Sequence, residues 1–185
     1  MKKLIIDMDD VLCEKGFLRM VNAFLGTDYQ EEDAGSYYIN DLIPKEKFSE
    51  WLQFFEENNV YDYVNLKENV QEVLKKLNET YDIYIATSYV FRDDNQLSGK
   101  SLKDKFEYLY KNFPFINPEK YIFITNKEII KADIRIDDSI QKLEGDAEIK
   151  LLFTAYHNVN ISEEELKKKN LIRVNAWKEI EKILL

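Results

Sequence analysis

The sequence predicts an α/β fold: a Rossmann-like parallel sheet with helices on both faces and a small helical cap inserted after the first strand. Three observations carry that expectation. Short apolar runs recur along the 185 residues, of which 45% are hydrophobic, enough for one packed core. Amphipathic stretches of helical period lie between several of those runs. Residues 14–65 interrupt the alternation with helical patterns and no strand-like run.

The apolar runs are LIID (4–7), DIYIAT (82–87), YIFIT (121–125), DIRID (133–137), IKLLFT (149–154) and LIRV (171–174). Such runs, rich in Ile and Leu and almost unbroken, suit parallel strands covered on both faces. ENVQEVLKKLNETY (68–81) sets Val70, Val73, Leu74 and Leu77 on one helical face. SLKDKFEYLYKNF (101–113) does the same with Leu102, Phe106, Leu109 and Phe113, and AWKEIEKILL (176–185) is the last helical pattern. Strand–helix alternation of this kind is the signature of a doubly wound sheet. Within 14–65, GFLRMVNAFLG (16–26) and KEKFSEWLQFFEENN (45–59) read as helices joined by a polar, Tyr-rich stretch. An insertion after the first strand sits over that strand's carboxyl end, where open α/β sheets bind ligands. The expected organisation is therefore a core of residues 1–13 and 66–185 with a cap of residues 14–65.

Composition narrows the function. A formal net charge of −9 argues against a nucleic-acid polymer as partner, because phosphate contacts need a basic surface. A small phosphorylated molecule stays open, since one local cation overrides the global field. The single cysteine, Cys13, excludes an internal disulfide and fits a reducing compartment. No apolar run approaches the ~18 residues of a membrane span, so the expectation is a cytoplasmic protein with no membrane partner. The sequence leaves a homodimer open.

The chemistry starts at the tip of the first strand. Asp7, Asp9 and Asp10 crowd three like charges directly after Leu4–Ile6, which is costly unless something positive lies among them. Three other strand ends carry polar groups: Thr87 and Ser88 after IYIA, Asp137 and Asp138 after IRI, and Lys127 just past YIFIT. All carboxyl ends of a parallel sheet lie on one edge, so these residues converge. Carboxylates, hydroxyls and one ammonium make a hard-oxygen set suited to Mg²⁺. Taken singly, each motif has a plainer reading as a turn former, a helix cap or a surface lysine. Four of them in order, each at a strand end, argue for a site. His157 in YHNVN reads as a loop hydrogen-bonder, and EEELKKK (163–169) as a solvated helix face.

DMDDVL (7–12), ATS (86–88) and a lysine ten residues before the first acid of IDD (136–138) together resemble the four-motif signature of haloacid dehalogenase superfamily phosphatases. More narrowly, KGFLRMVNAF, KFEYLYKNFPFI, NKEIIKADIRIDD, LLFTAYHN and RVNAWKEI are similar to the 5'(3')-deoxyribonucleotidase family. The resemblance implies a phosphatase that hydrolyses (deoxy)ribonucleoside monophosphates to nucleoside and phosphate. It implies Asp7 as the nucleophile that forms an aspartyl-phosphate, and Asp9 as the acid that protonates the leaving oxygen and then activates water. It implies Thr87 and Ser88 as hydrogen-bond donors to the phosphoryl oxygens, with Lys127 offsetting their charge. Mg²⁺ would be held by the Asp7 carboxylate, the Asp9 backbone carbonyl and Asp138, supported by Asp137. Tyr37 and Tyr38 in GSYYIN (35–40) lie where the resemblance implies base stacking, whereas Trp51, Phe54 and Phe55 are expected to pack the cap helices together. Two alternatives stay open: the same machinery acting on another small ester such as a sugar phosphate, and a receiver-like phospho-Asp signalling module. As the resemblance has it, receivers carry the acid pair on the first strand and the phospho-acceptor on the third, the reverse of the order here.

Overall fold

Leu4, Ile5 and Ile6 are all buried although successive side chains of a strand point to opposite faces. Their strand, β1 (Lys3–Ile6), therefore lies inside a sheet covered on both sides. The computed structural model describes residues 1–34, 39–91 and 94–185. After β1 come β2 (Cys13–Glu14), α1 (Gly16–Leu25), α2 (Phe48–Glu57), β3 (Asn65–Leu66), α3 (Val70–Thr80), β4 (Asp82–Thr87) and α4 (Asn95–Asn112). The chain continues through β5 (Tyr121–Phe123), β6 (Ile134–Asp137), β7 (Ile149–Phe153), α5 (Glu163–Lys168), β8 (Ile172–Val174) and α6 (Trp177–Leu184). The main sheet has six parallel strands in the order β5-β4-β1-β6-β7-β8. All six correspond to the runs expected from the sequence.

The register aligns the strand ends. Ile6 pairs with Ile85 on one side and Ile136 on the other, and the Asp7 amide donates to the Ile136 carbonyl at 2.9 Å. Asp7, Thr87 and Asp137 thus leave the sheet at one edge. α3 packs against α6 and β4, and α6 against β8. Among the described residues no helix is long and apolar enough to cross a membrane.

Between β2 and β3 the regular structure of the described chain is helical, with α1, α2 and short 3-10 turns at Glu31–Asp33, Ile39–Leu42, Lys45–Lys47 and Val60–Asp62. Its entry and exit are tied together. β2 pairs antiparallel with β3, Glu14 opposite Asn65, and the Lys67 ammonium lies 2.6 Å from the Glu14 carboxylate. Gly16 starts α1 hard against the exit, where an added Cβ would meet Val64 Cγ1 at 2.4 Å and the Val60 carbonyl at 3.2 Å. Trp51 and Phe55 are buried, and Phe24 lies 5.6 Å from Trp51 and 5.4 Å from Phe54, the helix-to-helix packing expected of these rings.

One helix differs from its expectation. α4 begins at Asn95, where the Asp94 side chain caps it by accepting from the Leu97 amide at 2.9 Å, and not at 101. Its inner face differs too. Leu109 and Phe113 are buried, but Phe106 is 38% exposed while Asp104 and Lys105 are buried. Phe106 instead stacks on Tyr110 and meets the edge of Tyr121. The charges can go inward because each has a partner: Asp104 pairs with Lys100, and Lys105 reaches the sheet edge.

Candidate active site

The turn after β1 sets the acids. Met8 is fully buried, so Asp7 and Asp9 stand on the other side of the chain from it. Asp10 has φ 57°, a left-handed conformation that Asp tolerates better than most residues, and it sends the chain back on itself. The Leu12 amide closes the turn on the Met8 carbonyl at 2.8 Å. From the far end of the sequence, the buried Trp177 indole N–H donates to the Val11 carbonyl at 2.9 Å.

Lys127 is the cation among these acids. Its ammonium is 2.6 Å from Asp7 Oδ1 and 2.7 Å from Asp137 Oδ2, with all three side chains largely out of solvent. The 3-10 turn that carries it, Lys127–Ile129, is pinned from beneath by Arg135, whose guanidinium donates to the Lys127 carbonyl at 3.1 Å and to the Ile130 carbonyl. Burial works against the ammonium, but Asp7 and Asp137 outweigh it and raise its pKa. Asp137 gives its second oxygen to the Ser139 amide at 2.9 Å. Burial, with Asp7 adding repulsion, lifts Asp137 to about 6, and burial followed by Asp7 and Asp137 lifts Asp138 well above the carboxylate range.

Carboxylate oxygens of Asp7, Asp137 and Asp138 lie within 4.8 Å of one another, as do ligand atoms of Asp10, Asp138 and His157. Three carboxylates, Asp137 and Asp138 buried and Asp7 partly so, with one ammonium between them are under-compensated, and their hard oxygens fit a divalent cation of the Mg²⁺ kind.

Asp9 faces a different set. Its Oδ1 accepts from the Tyr61 hydroxyl at 2.9 Å and its Oδ2 from the Lys105 ammonium. Lys105 also donates to Thr87 Oγ1 at 2.8 Å, which joins the first and second strand-end motifs. Ser88 Oγ sits 3.0 Å from Thr125 Oγ1 at the end of β5. Sequence reasoning missed Lys105, because a lysine in an amphipathic helix reads as surface.

His157 and Asn158 were also passed over as functional residues. His157 Nε2 is 2.6 Å from Asp138 Oδ2, and burial lowers the imidazole pKa. The imidazole donates through that nitrogen when Asp138 is ionised, and the Asp138 carboxyl donates to it when Asp138 is protonated. Asn158 is buried and donates to both the Asp138 and Phe153 carbonyls at 2.8 Å while accepting from Arg173 at 3.0 Å. The available signal was position: YHN follows β7, one more strand end on the same edge.

A cavity of about 410 Å³ opens between these acids and the inserted helices, lined by Asp9, Asp10, Phe17, Tyr61, Phe91 and Tyr156 among others. Tyr37 and Tyr38 lie outside the described residues. Phe17 stacks on Phe55 at 5.9 Å, and Phe55 meets Phe91 at 5.1 Å, so the packed aromatic cluster continues into the cavity wall.

A family model described as 5' nucleotidase, deoxy (pyrimidine), cytosolic type C protein (NT5C) matches residues 1–185. The chain belongs to this family. Membership makes it a phosphoric monoester hydrolase and removes the receiver-like alternative. A 5'(3')-deoxyribonucleotidase of Bacillus subtilis strain 168 is 36% identical over 196 residues, covering 100% of both chains, and a protein of the same name from Bacillus phage SPbeta matches equally. Among solved structures, a haloacid dehalogenase-like family hydrolase from Streptococcus pneumoniae superposes with a TM-score of 0.57 at 16% identity, covering 100% of this chain and 99% of that one. A Bacillus subtilis HAD hydrolase described as bound to magnesium gives a TM-score of 0.53 at 16% identity, covering 99% and 98%. The α/β architecture is that of the haloacid dehalogenase superfamily.

Proposed function

We propose that this chain hydrolyses deoxyribonucleoside monophosphates to nucleoside and phosphate through an aspartyl-phosphate on Asp7. The observation that carries the reading is the buried Lys127 ammonium held between Asp7 and Asp137, with Asp138 within reach of both acids. The family description and the name of the Bacillus subtilis relative supply the substrate class.

Each residue has a part that its position supports. Asp7 attacks phosphorus, and Lys127, already against its carboxylate, offsets the charge of the phosphoryl oxygens. Thr87 and Ser88 donate hydrogen bonds to those oxygens. Asp9 gives a proton to the leaving ester oxygen and later takes one from the water that clears the intermediate. Asp7, Asp138 and the Asp9 carbonyl would hold Mg²⁺, with Asp137 in support, and the ion would withdraw charge from the phosphoryl group. Asp137 orients Lys127 and the turn at Ser139. Residues 14–65 form a cap over the cavity mouth, and the core comprises 1–13 and 66–185. The cavity of about 410 Å³ suits a nucleoside, its walls offering the aromatic rings of Phe17 and Phe91.

A panel of nucleoside and sugar monophosphates at equal concentration, with Mg²⁺ and with EDTA, tests the reading. Deoxyuridine or thymidine monophosphate should rank among the best substrates, and EDTA should abolish phosphate release. A sugar phosphate turned over faster than every nucleotide would refute the substrate while leaving the chemistry in place.

A further inference from the structure

Two donors meet on the carboxylate of Asp9, and they come from different parts of the chain. Lys105 belongs to α4 and holds Oδ2, while Tyr61 belongs to the 3-10 turn Val60–Asp62 at the exit of the inserted segment and holds Oδ1 at 2.9 Å. Both are buried, whereas the Asp9 side chain is 36% exposed and lines the cavity. The carboxylate is therefore gripped from behind and open in front. One donor on each oxygen fixes the plane of the group, which a single donor leaves free to rotate. The grip is itself supported: the Tyr61 ring lies 5.0 Å from Tyr108 and 5.8 Å from the Lys105 ammonium.

We infer that Tyr61 is a positioning residue for Asp9: its hydroxyl, delivered by the inserted segment, sets the orientation in which Asp9 passes its proton to the leaving oxygen. The inference rests on the acid–base role proposed for Asp9. In that step the bond from Asp7 oxygen to phosphorus forms as the ester P–O bond breaks. The bonding pair goes to the ester oxygen, which takes the Asp9 proton and departs as an alcohol. Asp9 is left as a carboxylate, which Tyr61 O–H and Lys105 N–H both bond. Water then gives Asp9 a proton while its oxygen attacks phosphorus, the Asp7–phosphorus bond breaks, and phosphate leaves with Asp7 restored. A packing role alone would be served as well by phenylalanine, because the contacts with Tyr108 and Lys105 involve the ring.

The test compares two esters on the full, Mg²⁺-loaded chain. Deoxyuridine monophosphate releases an alcohol that needs a proton, and p-nitrophenyl phosphate releases a phenolate that does not. The constant kcat/KM covers events only through departure of the leaving group, so the later attack of water does not enter. Tyr61→Phe should lower the ratio of kcat/KM for the nucleotide to that for p-nitrophenyl phosphate about tenfold, a fraction of the ~10²–10⁴-fold a placed acid contributes. Asp9→Asn should lower it further, about 10²-fold or more. A Tyr61→Phe ratio equal to that of the unaltered chain, with Asp9→Asn lowered, overturns the inference alone. If Asp9→Asn also leaves the ratio unchanged, the acid–base reading falls and the inference with it. Partial unfolding of a variant scales both rates alike, so the ratio stays readable.

Discussion

The Lys127 ammonium stands 2.6 Å from Asp7 Oδ1 and 2.7 Å from Asp137 Oδ2, a single buried cation shared by carboxylates from two neighbouring strands. Lys127→Met would leave both acids uncompensated. Breaking a buried pair in this way costs about 3–5 kcal/mol. Urea unfolding in EDTA should show a loss of that size, and a separate assay at saturating Mg²⁺ should show loss of phosphatase activity. Unchanged stability would mean the two acids do not depend on Lys127.

Asp137 near 6 and Asp10 near 7, both lifted first by burial, give the metal-free protein an unusual pH dependence. Their ordinary values lie at about 4, so between about pH 4 and 7 the folded chain holds protons that the unfolded chain has lost. More protons on the folded side means that stability falls as pH rises through this window. A divalent cation favours the ionised forms and opposes the fall. The rise in Tm on replacing EDTA by Mg²⁺ should therefore grow between about pH 5 and pH 7. An increment that is flat or shrinks over that range contradicts the electrostatic picture.

Asn158 holds the Asp138 backbone in place. Asn158→Ala removes the donor to the Asp138 and Phe153 carbonyls and the acceptor for the Ala155 amide and Arg173. Buried groups left unpaired cost ~1–3 kcal/mol each before relaxation, so a net loss of about 2–4 kcal/mol is expected. Titration with Mg²⁺ followed by calorimetry should also show weaker binding, and an unaltered affinity would separate Asn158 from the metal site.

Gly16 sits where the inserted segment enters against its own exit. Gly16→Ala places a methyl group 2.4 Å from Val64 Cγ1, and overpacking of this kind costs about 1–3 kcal/mol. A thermal melt should show the drop. A melt unchanged from the unaltered chain would mean that Val64 yields freely.

The sheet was legible because buried parallel strands write themselves as unbroken apolar runs, as in Leu4–Ile6 and Leu151–Phe153. The acids and Lys127 were legible for a related reason: each stands at or just past a strand end, and a parallel sheet brings such ends together. What was hidden lay in helices and loops. Lys105 occupies a helix position whose burial depends on partners far away, Asp9 and Thr87. Tyr61 lies in an irregular turn with no periodicity to orient it. The start of α4 was obscured by Gly99 and a polar first turn, and Asp94, its cap, stands in a sequence that offers Asp93, Asn95 and Ser98 as capping residues too. The ribbon of β2 and β3 has two residues per strand, too few to form a pattern.

The account turns on Asp7 as the group that takes the phosphoryl from its ester. Its most direct test is phosphate release from deoxyuridine monophosphate at saturating Mg²⁺ by purified Asp7→Asn beside the unaltered chain. The substitution should lower kcat by at least about 10³-fold while the thermal melt stays cooperative. An Asp7→Asn protein that turns the nucleotide over at the full rate would contradict it.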